Sequence, residues 1–237
     1  HYPMKQGFDK LIKYQNLEIH QEEMSRNLNG IPNEHEILEK KLASEREVLD
    51  QALHILRTLE LRQKEREGDR AEAEQTIQKL RGQLLEVKKN DQYQAMLHEI
   101  DGFEKKVSDL EEAEIEILME IDTEKEKVLV DERSFLAREK EIRGQMELLT
   151  DRKTQLIATM EELNGTLNMA KEEVSGEWMQ AYEHVKNQVR KGPWVVALQQ
   201  GRCMGCHLSV SNEVAQNFGE NAGINHCDQC GRILYIG

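Results

Sequence analysis

Cys203-Met204-Gly205-Cys206 and Cys227-Asp228-Gln229-Cys230 hold all four cysteines of the chain, in two C-x2-C pairs. Two thiolates at that spacing on one tight turn reach the same metal ion, and two such turns complete a tetrahedral shell. Residues 207–226 separate the pairs, a gap at the upper end of the four-cysteine zinc pattern. Gly205 lies inside the first turn and Gly231 directly follows the second. A residue without Cβ permits positive φ and lets backbone amides approach the sulfurs. The expected chemistry is one structural zinc ion on Cys203, Cys206, Cys227 and Cys230, because four thiolates close the shell that a catalytic zinc leaves open. His207 and His226 flank the pairs and are the alternative donors.

Other uses of the same residues fit less well. A disulfide framework belongs to an oxidising compartment, but no secretory leader precedes this chain and no cysteine occurs before Cys203, so a reducing, cytoplasmic setting is expected. A thioredoxin-like redox motif needs a βαβ context, and none is visible. For enzymatic chemistry the sequence offers no P-loop, no dinucleotide fingerprint and no H-E-x-x-H. His35-Glu36 and His98-Glu99 both lack the second histidine. The expectation is a protein that is not an enzyme.

The elements that must carry this head are helical. Of the 237 residues 32% are charged, 5% are aromatic and only three are proline. Abundant Glu, Lys, Leu, Gln and Arg at helical spacing describe long solvated helices rather than a globular core. No apolar run is long enough for a membrane span. The net charge of −13 argues against general attraction to nucleic acid or to an anionic membrane.

Along residues 5–28 a helical seam runs through Leu11, Tyr14, Leu17, Met24 and Leu28. Gly30 and Pro32 then predict a helix break near 29–33, with Asn33 and Glu36 as a capping box. From Leu38 the seam continues through Leu42, Leu49, Ala52, Leu56 and Leu59, and after a polar gap at 62–70 through Ala73, Ile77, Leu80, Leu84 and Val87. The heptad phase is the same on both sides of the gap, so the helix is expected to be continuous. Lys88-Lys89-Asn90-Asp91 predicts a turn near 88–92. A second seam follows through Ile100, Phe103, Val107, Leu110, Ile117, Ile121, Val128, Phe135, Ile142, Met146, Leu149, Leu156, Met160, Leu163, Leu167, Ala170 and Val174, with steps of 3, 4 or 7.

Two long helices joined by a short turn are antiparallel neighbours. A turn centred near residue 90 sets Leu84 against Met96 or Leu97, and Arg66 against Glu114 in a polar layer that fixes register. At about 1.5 Å per residue, an arm of about 80 residues reaches roughly 120 Å. The second helix is expected to pass Trp178, Tyr182, Val185 and Val189 and to stop at Lys191-Gly192-Pro193, with Trp178 and Tyr182 packing its base. Short strands are predicted at 194–198, 208–211, 224–226 and 233–236, with a helical turn at 212–218. The fold class is therefore mainly α: an antiparallel coiled-coil hairpin over residues 4–191, then a small β zinc ribbon over 192–237, marginal without its metal.

The combination of Cys203-x-x-Cys206-His207, Cys227-x-x-Cys230-Gly231-Arg232-Ile233-Leu234-Tyr235 and the Asn90-Asp91-Gln92-Tyr93-Gln94-Ala95-Met96-Leu97-His98-Glu99-Ile100 stretch resembles a known bacterial family. These are the C4-type zinc-ribbon proteins with a long N-terminal coiled-coil hairpin, and the likeness covers essentially the whole chain. It implies an adaptor without catalysis, associated with the nitrogen-type sigma factor (RpoN) and with flagellar or type III secretion assembly, some members contacting RNA. The four cysteines carry over as zinc ligands. Tyr93 is either a partner contact or packing for the turn.

Two functional classes follow. The first is a protein-binding adaptor using the coiled coil and the head. The second is a regulator that binds RNA through the ribbon and the helix neck. Residues 192–237 set Arg202 and Arg232 against Glu213, Glu220 and Asp228, and four thiolates on Zn²⁺ add net negative charge, so phosphate neutralisation by this head is weak. Lys186, Arg190 and Lys191 at the neck are the local basic cluster.

Overall fold

The computed structural model describes residues 3–220 and 223–236. Two long helices, α1 (Pro3–Leu84) and α2 (Asn90–Glu173), precede a short helix α3 (Gly176–Gln188). A four-stranded sheet follows, built from β1 (Val195–Gln199), β2 (Arg202–Cys203), β3 (Asn225–His226) and β4 (Ile233–Ile236), with helix α4 (Asn212–Glu220) between β2 and β3. Among the described residues no helix is long and apolar enough to cross a membrane. The chain divides into two compact units, one made of residues 36–146 and the other of residues 1–35 with 147–237.

In the unit of residues 36–146, α1 and α2 run antiparallel and bury the heptad seam. Leu49, Ala52, Ala73 and Ile77 of α1 are buried, as are Ile100, Ile117, Ile121, Val128, Phe135 and Ile142 of α2. The seam persists through the polar gap, where Gln63, Arg66 and Arg70 are each half-buried at heptad positions. The pairing differs from the turn-centred expectation. Arg70, not Arg66, reaches Glu114, at 3.0 Å, while Arg66 pairs with Asp69 on its own helix. Arg81 likewise meets Glu104 at 2.6 Å. The register is thus displaced by one helical turn. Arg66 and Arg70 are both seam positions, and knob-into-hole fit along the seam, rather than the midpoint of the turn, selects between them. The link between the helices spans 85–89, slightly before the expected 88–92.

Residues 1–35 with 147–237 form the second unit. The break expected near 29–33 is absent: α1 runs through Gly30 and Pro32 without interruption. Proline inside a helix costs about 3 kcal/mol through a lost hydrogen bond and a clash. Here Pro32 faces solvent while its neighbour Ile31 is buried in the seam, so the freed carbonyl is on the side that water can reach. A second difference lies further along. The helix expected to continue to Lys191 stops at Glu173, and Ser175, with extended dihedrals, precedes a separate α3. Trp178 and Tyr182 still do the packing expected of them, edge-on to Phe8 and Tyr14 respectively.

The sheet order is β2-β1-β4-β3, with β1 parallel to β4 and the outer pairs antiparallel. Three predicted strands have counterparts in β1, β3 and β4. The predicted strand at 208–211 is reduced to one bridge between Arg202 and Ser209, and β2 takes its place as the partner of β1. The inner face of the sheet buries Val195 and Ile233 against Leu11, Tyr182 and Trp194. Val196 and Leu234, on the opposite face, pack with Cys203 and Cys227.

Candidate metal centre

Each cysteine pair sits on a turn with the same backbone plan. Cys203 ends β2; its N–H donates to Leu208 O at 3.0 Å, and His207 N–H returns to Cys203 O at 2.7 Å. Cys227 follows β3; its N–H donates to Arg232 O at 2.8 Å, and Gly231 N–H returns to Cys227 O at 2.8 Å. In both turns the residue after the second cysteine is left-handed, with φ of +62° at His207 and +76° at Gly231. The first turn therefore places its positive φ on a histidine, not on Gly205. Gly205 serves a different need: a Cβ there would lie 2.5 Å from Arg232 Cδ. Its amide donates to Cys203 Sγ at 3.4 Å.

The two turns bring the four sulfurs together. Cys203 Sγ lies 3.8 Å from Cys230 Sγ and Cys206 Sγ 3.8 Å from Cys227 Sγ, and all four fall within 4.8 Å of one another. Sulfurs about 2.3 Å from a central ion are separated by about 3.8 Å along a tetrahedral edge, so the cluster matches a structural four-cysteine zinc site. None of the four is in a disulfide. Cys203 and Cys227 are buried and the other two half-buried. Bound zinc holds such sulfurs as thiolates and supplies a closed cross-link. The histidines lie outside the cluster, and the His226 ring engages Gly231 O through Nδ1 at 3.0 Å.

Electrostatics around the sulfurs is uneven. Burial pushes the Cys227 thiol up to about 12, against the amides of Gln229 and Cys230, and raises Cys203 as well. Cys230 is also opposed by burial, yet the backbone N–H and guanidinium of Arg232 help bring it down to about 7. Arg232, which the sequence marks only as part of the second cysteine motif and as one of the two cations of the head, has a structural role. Its Nε donates to Pro193 O at 2.8 Å and its Nη2 to Lys191 O at 3.1 Å, so the second turn also holds the neck between α3 and β1.

Two further residues escaped sequence reasoning. Gln15 is a buried polar side chain whose Oε1 accepts from Trp194 N and Val195 N, each at 2.6 Å, while its Nε2 donates to Val195 O at 2.9 Å. Glu18 takes Tyr182 Oη at 2.7 Å, Tyr14 Oη at 3.3 Å and Lys186 Nζ at 2.7 Å. Lys186 also lies over the Trp194 ring, 5.1 Å from its centroid. Apart from the Tyr14–Glu18 contact one turn along α1, nothing local marks these positions, since their other partners lie some 160 to 180 residues away in sequence. Tyr93 is exposed near the start of α2.

No family model matches the chain, and no curated protein does. Solved structures do. CT398 from Chlamydia trachomatis is 20% identical over 99% of each chain, with a TM-score of 0.82. A protein from Mycobacterium smegmatis is 15% identical, covering 95% of this chain and 98% of its own, with a TM-score of 0.60. HP0958 from Helicobacter pylori is 15% identical over 97% of each chain, with a TM-score of 0.52. Identities this low carry the fold and leave function to the residues.

Proposed function

We propose that this chain is a non-enzymatic cytoplasmic adaptor that binds other proteins through its coiled coil and a zinc-ribbon head over residues 192–237, with Cys203, Cys206, Cys227 and Cys230 as the ligands of one structural zinc. The partners are an RpoN-type sigma factor and flagellar or type III secretion components, following the sequence resemblance. The observation that carries the reading is a row of apolar side chains turned to solvent on α2. Ile115, Leu129 and Leu136 are each more than half exposed, and their whole-heptad spacing puts them on one face of the helix. Such a row suits docking by an amphipathic partner helix. The four-sulfur shell supports the same reading, because it offers no coordination position to a substrate.

The test is a direct titration of the full-length, zinc-loaded protein with a purified RpoN-type sigma factor. Saturable binding is expected, weakened at least about tenfold by L129E/L136E. Binding that these substitutions leave unchanged moves the docking face elsewhere. No binding by the sigma factor or by secretion components removes the named partners.

A further inference from the structure

Behind the neck, residues 19–26 of α1, Met160 of α2 and residues 190–193 enclose a cleft of about 940 Å³, toward the upper end of ligand-binding clefts at about 300–1,000 Å³. Ile19, Met160 and Pro193 supply its apolar lining. Arg26 enters from α1, and Arg190 and Lys191 from the neck. Among the described residues none of these three cations is paired with a carboxylate; Arg26 reaches only the backbone oxygen of Glu22, at 3.4 Å. Of the two acidic residues in the lining, Glu22 is already engaged by Lys186 at 3.5 Å, which leaves Glu23.

The neck is held in place from the metal centre. Arg232, two residues after Cys230, donates to the carbonyls of Lys191 and Pro193, and Gly205 of the first turn leaves room for its side chain. A wall fixed in this way loses little freedom when a ligand arrives.

We propose that this cleft binds an extended acidic peptide segment of a partner protein, its carboxylates paired with Arg26, Arg190 and Lys191 and one apolar side chain seated against Ile19, Met160 and Pro193. Alternating side chains of an extended peptide point to opposite sides, which matches cations contributed by two separate chain segments around an apolar patch. Guanidinium groups take carboxylates in paired hydrogen bonds. A nucleic acid fits less well: its backbone carries a charge at every nucleotide and has no use for the apolar lining of Ile19, Met160 and Pro193. The inference rests on the reading of the chain as a protein-binding adaptor, but it names a site that reading does not use.

The experiment is fluorescence anisotropy on the full-length, zinc-loaded protein, with a labelled peptide carrying a single leucine flanked by glutamates. Saturable binding is expected, weakened about tenfold or more by R190E/K191E and independently by Arg26→Glu. Replacing the leucine of the peptide by glycine is expected to weaken it further, and rising salt to reduce all affinities. No binding, equal binding by wild type and both variants, or equal binding of a lysine-for-glutamate peptide overturns the proposal. So does an RNA oligonucleotide that binds wild type but not R190E/K191E while the peptide binds neither. Sigma-factor binding separates this proposal from the adaptor reading: loss with L129E/L136E while the peptide still binds leaves the cleft intact. A sigma factor that never binds, beside a peptide that does, sinks the named partner alone.

Discussion

Residues 36–146 and the unit of residues 1–35 with 147–237 are stabilised in opposite ways. In the first, Ile121, Val128, Phe135 and Ile142 fill the same kind of seam position one heptad after another, and no single side chain is unique. In the second, one glutamine makes three buried hydrogen bonds, one carboxylate collects two phenols and an ammonium, and four sulfurs share one shell. Repetition tolerates the loss of a member, whereas a unique contact has no substitute. The largest effect should therefore come from the metal centre. With Cys203→Ser, zinc is expected to fall from one per chain to none. In small zinc modules the binding free energy that supports folding is on the order of 10 kcal/mol. Hydrogen exchange should then show protection lost over 192–236 and retained over 36–146. Stoichiometric zinc in the variant would mean the shell is misassigned, and loss of protection in both units would erase the contrast between them.

The same contrast explains what was legible in the sequence. A heptad states its rule every seven residues, so the pattern alone places Leu49, Ile77, Ile121 and Ile142 in the seam and marks the polar gap as helix. The cysteine pairs were legible because metal geometry limits their spacing. Register was not: Arg66 and Arg70 are equivalent in pattern, and only packing in three dimensions gives Glu114 to Arg70. The contact between Gln15 and Val195 spans 180 residues and leaves no trace in local composition. At Gly205 one half of the expectation holds, since its amide donates to Cys203 Sγ, while His207 takes the left-handed position and the glycine's small size accommodates Arg232. Pro32 misled in the other direction, because a helix-breaking propensity is a local cost that a continuous seam outweighs.

A smaller effect sharpens the comparison at one kind of residue. Gln15→Ala leaves two amide donors and one carbonyl of the Trp194–Val195 segment without the partners they now have. Buried unsatisfied groups cost about 1–3 kcal/mol each, and partial relaxation puts the expected loss at about 3 kcal/mol. Gln63→Ala makes the same chemical change in the seam of residues 36–146, where the half-buried glutamine bonds only Glu67 of its own helix, through a solvent-exposed hydrogen bond. Its expected effect is within about 0.5 kcal/mol. Urea unfolding followed by helix ellipticity measures both. Equal losses at the two sites would show that the buried glutamine is no more than one polar contact among many.

The smallest effect appears only at high pH. Burial, then the charge and hydrogen bond of Glu18, push Tyr14 up to about 12, and burial together with Glu18 raises Tyr182 as well. A phenol held protonated by the fold contributes stability that is whole below its unfolded value of about 10 and is lost as pH rises through the folded value, because above about 10 the unfolded chain releases its proton first. Trp178 and Trp194 both lie in the unit that contains these phenols, while the one tyrosine of residues 36–146, Tyr93, is exposed. In an alkaline titration, tryptophan fluorescence is expected to change at lower pH than helix ellipticity. Tyr182→Phe keeps a ring against Tyr14 and Trp194 but removes one of the two buried phenols, so it should separate the two signals less. Signals that move together in both proteins would mean that the alkaline transition begins in the seam, and that the unit built on unique contacts is not the weaker of the two.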